Sequence, residues 1–179
     1  ASGEKAYKID EKNFHVPVGP HDATLGPDDA KVTVVEFADF QCGYCKKLFY
    51  SLTPLKKKYA DEVRFVFKHF PMNTKCNDSI KTDRHRYACD ASVAAGCARR
   101  QGRFWEMHDL LFKNQHKLKK NDLRYYAGKV GLDMGAFGQC LKDPSSVQHI
   151  KDDVAMAADI EITGTPRTYT NGRYFRRSP

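Results

Sequence analysis

The 179-residue sequence has no apolar run long enough to cross a membrane; the longest, such as Val32-Thr33-Val34-Val35 and Phe65-Val66-Phe67, are strand-sized. Its start, Ala1-Ser2-Gly3-Glu4-Lys5, has neither a basic n-region followed by an apolar h-region nor a cleavage site. Any secretory signal is therefore taken as already removed, and its absence does not argue for the cytoplasm. The absence of an internal repeat or low-complexity tract excludes solenoids, propellers and fibrous arrays. There is no single basic block either: the net charge of +8 is scattered, so a solvated basic surface is expected and nucleic acid is not an expected partner. The closing Arg173-Tyr174-Phe175-Arg176-Arg177 is basic and aromatic but too short to indicate nucleic-acid binding alone. The seven histidines show no HExxH or other zinc spacing, and Trp105 reads as helical core.

What is present fits one sizeable core, with room for an inserted subdomain. Residues 1–30 are polar and rich in turn formers, including Val16-Pro17-Val18-Gly19-Pro20, and read as an N-terminal arm. The β-branched run from Lys31 to Ala38 predicts a central strand, Asp39-Phe40-Gln41 a short loop, and Gly43 to Tyr59 a helix whose polar face includes Lys56-Lys57-Lys58. Val63 to Phe70, closed by Pro71, supplies a second strand, giving a parallel β-α-β unit. The chain then reads as four or five helices from Tyr87 to Ile162, followed by a hairpin turning at Asn171-Gly172.

Cys42-Gly43-Tyr44-Cys45 lies where the first of these strands gives way to the helix. Two cysteines at that spacing sit one turn apart on one face, close enough to form and break a disulfide. The free N–H groups and positive dipole end of a helix N-terminus favour a thiolate and lower its pKa from about 8.5, which makes Cys42 the expected nucleophile. A substrate thiolate attacks Cys42 in the oxidising direction, and Cys45 resolves the mixed disulfide in the reducing one. A metal site is the main competitor, but Cys76, Cys89, Cys97 and Cys140 do not supply the second close pair that a four-ligand zinc site usually shows. No metal and no cofactor beyond the dithiol is expected.

Through Val35-Glu36-Phe37-Ala38-Asp39-Phe40-Gln41-Cys42-Gly43-Tyr44-Cys45, Gln101-Gly102-Arg103-Phe104-Trp105-Glu106-Met107-His108-Asp109-Leu110-Leu111-Phe112 and Gly164-Thr165-Pro166, the sequence resembles the DsbA-type thioredoxin-like disulfide oxidoreductases over about residues 25 to 175. The resemblance implies an α/β fold: a thioredoxin domain (31–71 and 163–179) split by a helical insertion (72–162). It implies that Pro166 is cis and faces the dithiol, with Gly43, Tyr44, Thr165 and Pro166 meeting an extended substrate peptide by strand addition. Glu36 matches an acidic position that some members bury behind the second cysteine, where it could exchange a proton with Cys45; burial is expected because the residue lies inside an apolar run, the alternative being a solvated strand glutamate. Strongly oxidising members carry histidine where Tyr44 stands, so the thiolate is expected to be less favoured here.

The resemblance implies a thiol:disulfide oxidoreductase that forms disulfides in cysteine-containing exported proteins, with isomerisation or reduction as the alternative and a copper-delivery or other metal module as the competing class. It further implies a periplasmic or extracellular site of action, a membrane redox partner and, with no dimerisation domain evident, a monomer. From their positions Cys76 is expected to pair with Cys89 and Cys97 with Cys140, which the resemblance supports as structural bridges; buried free thiols at Cys97 and Cys140 are the alternative. The helix that normally closes a thioredoxin fold is not evident before Pro179, which raises the expectation of a trimmed chain or of a continuation into another domain.

Overall fold

The computed structural model describes residues 7–177. At the middle of its sheet lies β3 (Val32–Ala38), a run of β-branched and aromatic residues whose last four are buried, as a strand covered on both faces requires. It pairs in parallel with β4 (Val63–His69), from Val32 opposite Val63 to Ala38 opposite His69. Parallel neighbours cannot be joined by a tight turn, and α1 (Gly43–Lys58) makes the crossover.

On its other side β3 pairs antiparallel with β5 (Arg167–Thr170), which turns into β6 (Arg173–Arg177). Asn171 and Gly172 have φ of 48° and 77°, the two left-handed residues that a tight hairpin needs. A Cβ on Gly172 would also collide with Asn13 and the Phe14 carbonyl, so glycine is demanded twice. The Asn171 side chain accepts from Thr33 N at 2.8 Å and donates to the Lys31 carbonyl at 3.0 Å, tying the hairpin to the start of β3.

The region expected as an arm also contributes sheet. β1 (Tyr7–Asn13) pairs with β6 and β2 (Ala23–Leu25) with β4, giving the order β1-β6-β5-β3-β4-β2. Neither carries a clear apolar alternation. The first is a charged outer strand, of the kind that resists further pairing, and the second is only three residues long.

Between β4 and β5 come α2 (Ala88–Arg99), α3 (Phe104–Lys113), α4 (Lys120–Lys129), α5 (Met134–Cys140), a 3-10 turn (Pro144–Val147) and α6 (Gln148–Asp159). This is the thioredoxin fold interrupted by helices. Strand alternation divides the core: Val35 and Phe37 face Val154, Ala157 and Ile162, while Ala38 packs with Cys45, Phe49 and the helical insertion. In that second layer α2 is closely surrounded through Ala91, Ala94, Ala95 and Ala98, and Phe40, Phe49, Phe67, Phe104 and Phe112 pack around His108. Disulfides join Cys97 to Cys140, across α2 and α5, and Cys76 to Cys89, from the loop after β4 to the start of α2.

Candidate active site

Cys42 is the N-cap of α1, with φ −71° and ψ 121°, and no side chain caps this helix end, so its first amides are left to the Cys42 sulfur. Both Cys42 and Cys45 are free thiols; Cys42 is 6% exposed and Cys45 wholly buried one turn deeper. The Cys42 thiol lies 3.5 Å from the Thr165 carbonyl, and the Thr165–Pro166 peptide bond is cis. Sequence positions 42 and 165 thus meet because α1 and β5 both begin at this end of the sheet.

Hydrogen bonding to its charged form pulls the Cys42 thiol down to about 5. The Cys45 thiol contributes most, with Thr165 and the amides of Cys45 and Tyr44 adding to it against the opposing effect of burial. Burial pushes the Cys45 thiol well up, as does its neighbour Cys42. The two sulfurs therefore divide into an acidic outer thiol and a proton-retaining inner one. These hydrogen bonds do not depend on the side chain at position 44, where Tyr44 supplies no cation to the thiolate. Tyr44 itself is 71% exposed, and Gly43 beside it is open to solvent as well.

Glu36 is buried on the α1 face of β3 with Oε1 unpartnered; burial raises its carboxyl to about 7, partly offset by the positive charge of Lys56. Lys56, expected on a solvated helix face, is instead partly buried, with Nζ 4.3 Å from the centroid of the Trp105 ring. Desolvation lowers the Lys56 ammonium, while Glu36 and Asp109 oppose that effect. The long lysine stem lies along apolar surface and brings its charge toward Glu36.

Three further residues shape the entrance to the dithiol. Asp39, fully buried, accepts from the amides of Gln41 at 2.6 Å and Met72 at 2.7 Å and from His85 Nδ1 at 2.7 Å. Gln115, from the connection between α3 and α4, donates to the carbonyls of Phe40 at 2.7 Å and Cys42 at 2.9 Å. His85 lines a cleft of about 580 Å³ together with Cys42, Tyr44, Lys47, Arg84 and Thr165. Nothing in the spacing of Asp39, His85 or Gln115 relates them to the CxxC; only the fold of the insertion does. Among the described residues no group of three His, Cys, Asp or Glu side chains is placed to hold a metal ion.

A family model described as thioredoxin matches residues 19–179. The chain belongs to the thioredoxin family. Among solved structures, a thioredoxin-like oxidoreductase from Silicibacter pomeroyi DSS-3 superposes on this thioredoxin-family chain with a TM-score of 0.73 at 26% identity, covering 90% of this chain and 86% of that one. BdbD from Bacillus subtilis gives 0.71 at 23% identity, over 86% and 83% of the two chains. Alpha-DsbA1 from Wolbachia pipientis gives 0.69 at 23%, over 87% and 76%. The latter two likenesses establish a DsbA-like fold. The Na(+)/H(+) antiporter NhaA 3 of Salinispora tropica is 42% identical over 159 residues, which make up 88% of this chain and 23% of that protein. The NhaA antiporter of Herminiimonas arsenicoxydans is 33% identical over 163 residues, 24% of its length. The chain spans about a quarter of the length of the curated relatives it matches.

Proposed function

We propose that this thioredoxin-family chain is a thiol:disulfide oxidoreductase that uses Cys42 and Cys45 to form disulfides in cysteine-containing exported proteins. The observation that carries the reading is the division of the pair: Cys42, at a helix N-terminus and lining an open cleft, is held down to about 5, whereas Cys45 is sealed beneath it. A thiolate stabilised in the reduced protein makes the Cys42–Cys45 disulfide easier to reduce, hence a better oxidant of other thiols.

A substrate thiolate attacks the Cys42 sulfur of the oxidised pair. The Cys42–Cys45 bond breaks, a substrate–Cys42 bond forms, and the electron pair leaves on Cys45. The favoured neutral state of Cys45 then requires a proton, which Glu36, buried on the face of β3 toward α1, supplies. A second substrate thiolate attacks the substrate sulfur of the mixed disulfide and releases Cys42 as a thiolate, leaving the substrate oxidised by two electrons and the enzyme dithiol reduced. Thr165, before the cis Pro166, and the exposed Tyr44 line the cleft, and an extended peptide lies between them. Structural disulfides at Cys76–Cys89 and Cys97–Cys140 suit an oxidising compartment, periplasmic or extracellular, where a membrane redox partner would reoxidise the pair.

The antiporter names describe proteins about four times the length of the aligned part, and among the described residues no helix is long and apolar enough to cross a membrane, so transport is not part of this reading. The test is oxidative folding of a reduced, disulfide-requiring exported protein by the oxidised chain. Stoichiometric transfer of one disulfide, abolished in Cys42→Ser, supports the reading. Failure to oxidise, with activity only in shuffling preformed wrong disulfides or in reducing them, replaces it with isomerase or reductase, and no thiol exchange at all leaves the metal module.

A further inference from the structure

Four contacts hold the loop that carries His85 against the dithiol. His85 N donates to the Met72 carbonyl at 3.0 Å, and Asn73 Nδ2 donates to the His85 carbonyl at 3.1 Å. Gln41, the residue before Cys42, accepts from Tyr87 N at 2.5 Å. The Cys76–Cys89 disulfide closes the base of the same loop. Within this frame the imidazole Nδ1–H donates to the buried carboxylate of Asp39 at 2.7 Å, which fixes the tautomer and leaves the Nε2 edge for the cleft that Cys42 lines from the other side.

We propose that His85, clamped by Asp39, is the cation that pairs with the Cys42 thiolate when the dithiol is reduced, adding to the stabilisation that the hydrogen bonds around Cys42 provide and acting from outside the Cys-Gly-Tyr-Cys segment. The step is an internal proton transfer: the Cys42 S–H bond breaks, the His85 Nε2–H bond forms, and a neutral pair becomes thiolate and imidazolium with no change in oxidation state. The charged groups around His85 come from three elements. Asp39 follows β3, Cys42 and Lys47 belong to the start of α1, and Arg84 precedes His85 in its own loop. Asp39 and Cys42 favour the imidazolium, burial and Arg84 oppose it, and the net direction is upward from the ordinary histidine value. Lys47 and Arg84 are exposed, and Lys47 lies over the Tyr44 ring, so neither has the anchored position of His85. The role in redox poise rests on the oxidoreductase reading; the ion pair itself does not.

Two titrations of the reduced protein test the pair. The first follows thiolate ultraviolet absorbance against pH, with Cys42→Ser as the blank. His85→Gln is expected to raise the Cys42 midpoint by about one pH unit, a tenfold loss of thiolate on the acid side. The reduction potential is expected to fall by about 30 mV for the same tenfold change, and His85→Arg to restore both. The second follows the His85 ring by NMR. Because coupling is reciprocal, Cys42→Ser must lower the His85 midpoint by as much as His85→Gln raises that of Cys42. An unchanged Cys42 titration in His85→Gln, or an unchanged His85 titration in Cys42→Ser, overturns the proposal, and the second measurement decides alone if His85→Gln does not fold. Linked titrations in a protein that cannot exchange disulfides would uphold the ion pair and refute the proposed function.

Discussion

Replacing Glu36 by glutamine removes the charge of a buried carboxyl while keeping its shape. The folded protein holds this group at about 7 against an ordinary 4.5, chiefly because burial strips the carboxylate of water. At about 1.4 kcal/mol per pH unit, that difference makes ionised Glu36 cost the fold about 3 kcal/mol. Because the folded value lies above the unfolded one, the associated stability is fully present below about pH 4.5 and is lost as pH rises through 7. Glu36→Gln is therefore expected to match wild type near pH 4.5 and to exceed it by about 2 to 3 kcal/mol at pH 8.5, the lower figure allowing for a Lys56 left without its counter-charge. Urea unfolding of the reduced proteins at a series of pH values measures this. Taking the difference between the two proteins removes the pH dependence that Cys42 contributes to both. A stability difference that does not change between pH 4.5 and 8.5 refutes the argument that Glu36 is held neutral by burial. The same variant should slow each disulfide-exchange turnover about tenfold or more, as removal of a general acid does.

His108 is wholly buried among aromatic rings and held down to about 4 by desolvation, so the unfolded chain binds the extra proton. Stability from this group is present above pH 6.5 and lost as pH falls toward 4, and His108→Phe should shift the acid-unfolding midpoint to lower pH; a midpoint that stays put or rises contradicts this. Cys45→Ser, mixed with a disulfide-containing substrate, should accumulate that substrate linked to Cys42, seen as a non-reducing gel shift, because the Cys42 thiolate attacks the substrate disulfide and the resolving thiol is gone; no trapped species would mean that Cys42 is not the reactive thiolate. Opening Cys97–Cys140, which spans 43 positions, should cost about 4 kcal/mol, and opening Cys76–Cys89, which spans 13, about 3, as compared by thermal unfolding of the double-alanine variants. The reverse order would show that loop closure is not the governing effect.

Local chemistry made much of the fold legible. The β-branched run at 31–38, the Asn171-Gly172 turn and the helical stretch between them each declare an element within a few neighbouring residues, and their order agrees with the split thioredoxin arrangement that the resemblance implies. β1 and β2 were hidden because edge strands need no apolar alternation, and theirs is charged or too short. In the candidate site the Cys42–Cys45 spacing is local and readable, and the structure brings Thr165, which precedes the cis Pro166, to it from the far end of the chain. Asp39 was visible only as loop, because its three hydrogen bonds come from amides and a ring that the fold delivers. Gln115 and His85 lie in connections of the helical region, where periodicity carries no information about what a side chain meets. As one of three consecutive lysines Lys56 reads as solvated, yet alone of these it lies over Trp105 and faces a buried glutamate. A charge run says where helix face lies and not which member of it is drawn inward.

The most direct test of the account is the equilibrium reduction potential of the Cys42–Cys45 pair against glutathione, with Cys42→Ser as the blank. A thiolate held at about 5 above a buried partner predicts a potential toward the oxidising end, above about −180 mV. A value near the roughly −270 mV of thioredoxin would contradict disulfide formation as the direction, and the absence of any glutathione-dependent dithiol would contradict the oxidoreductase itself.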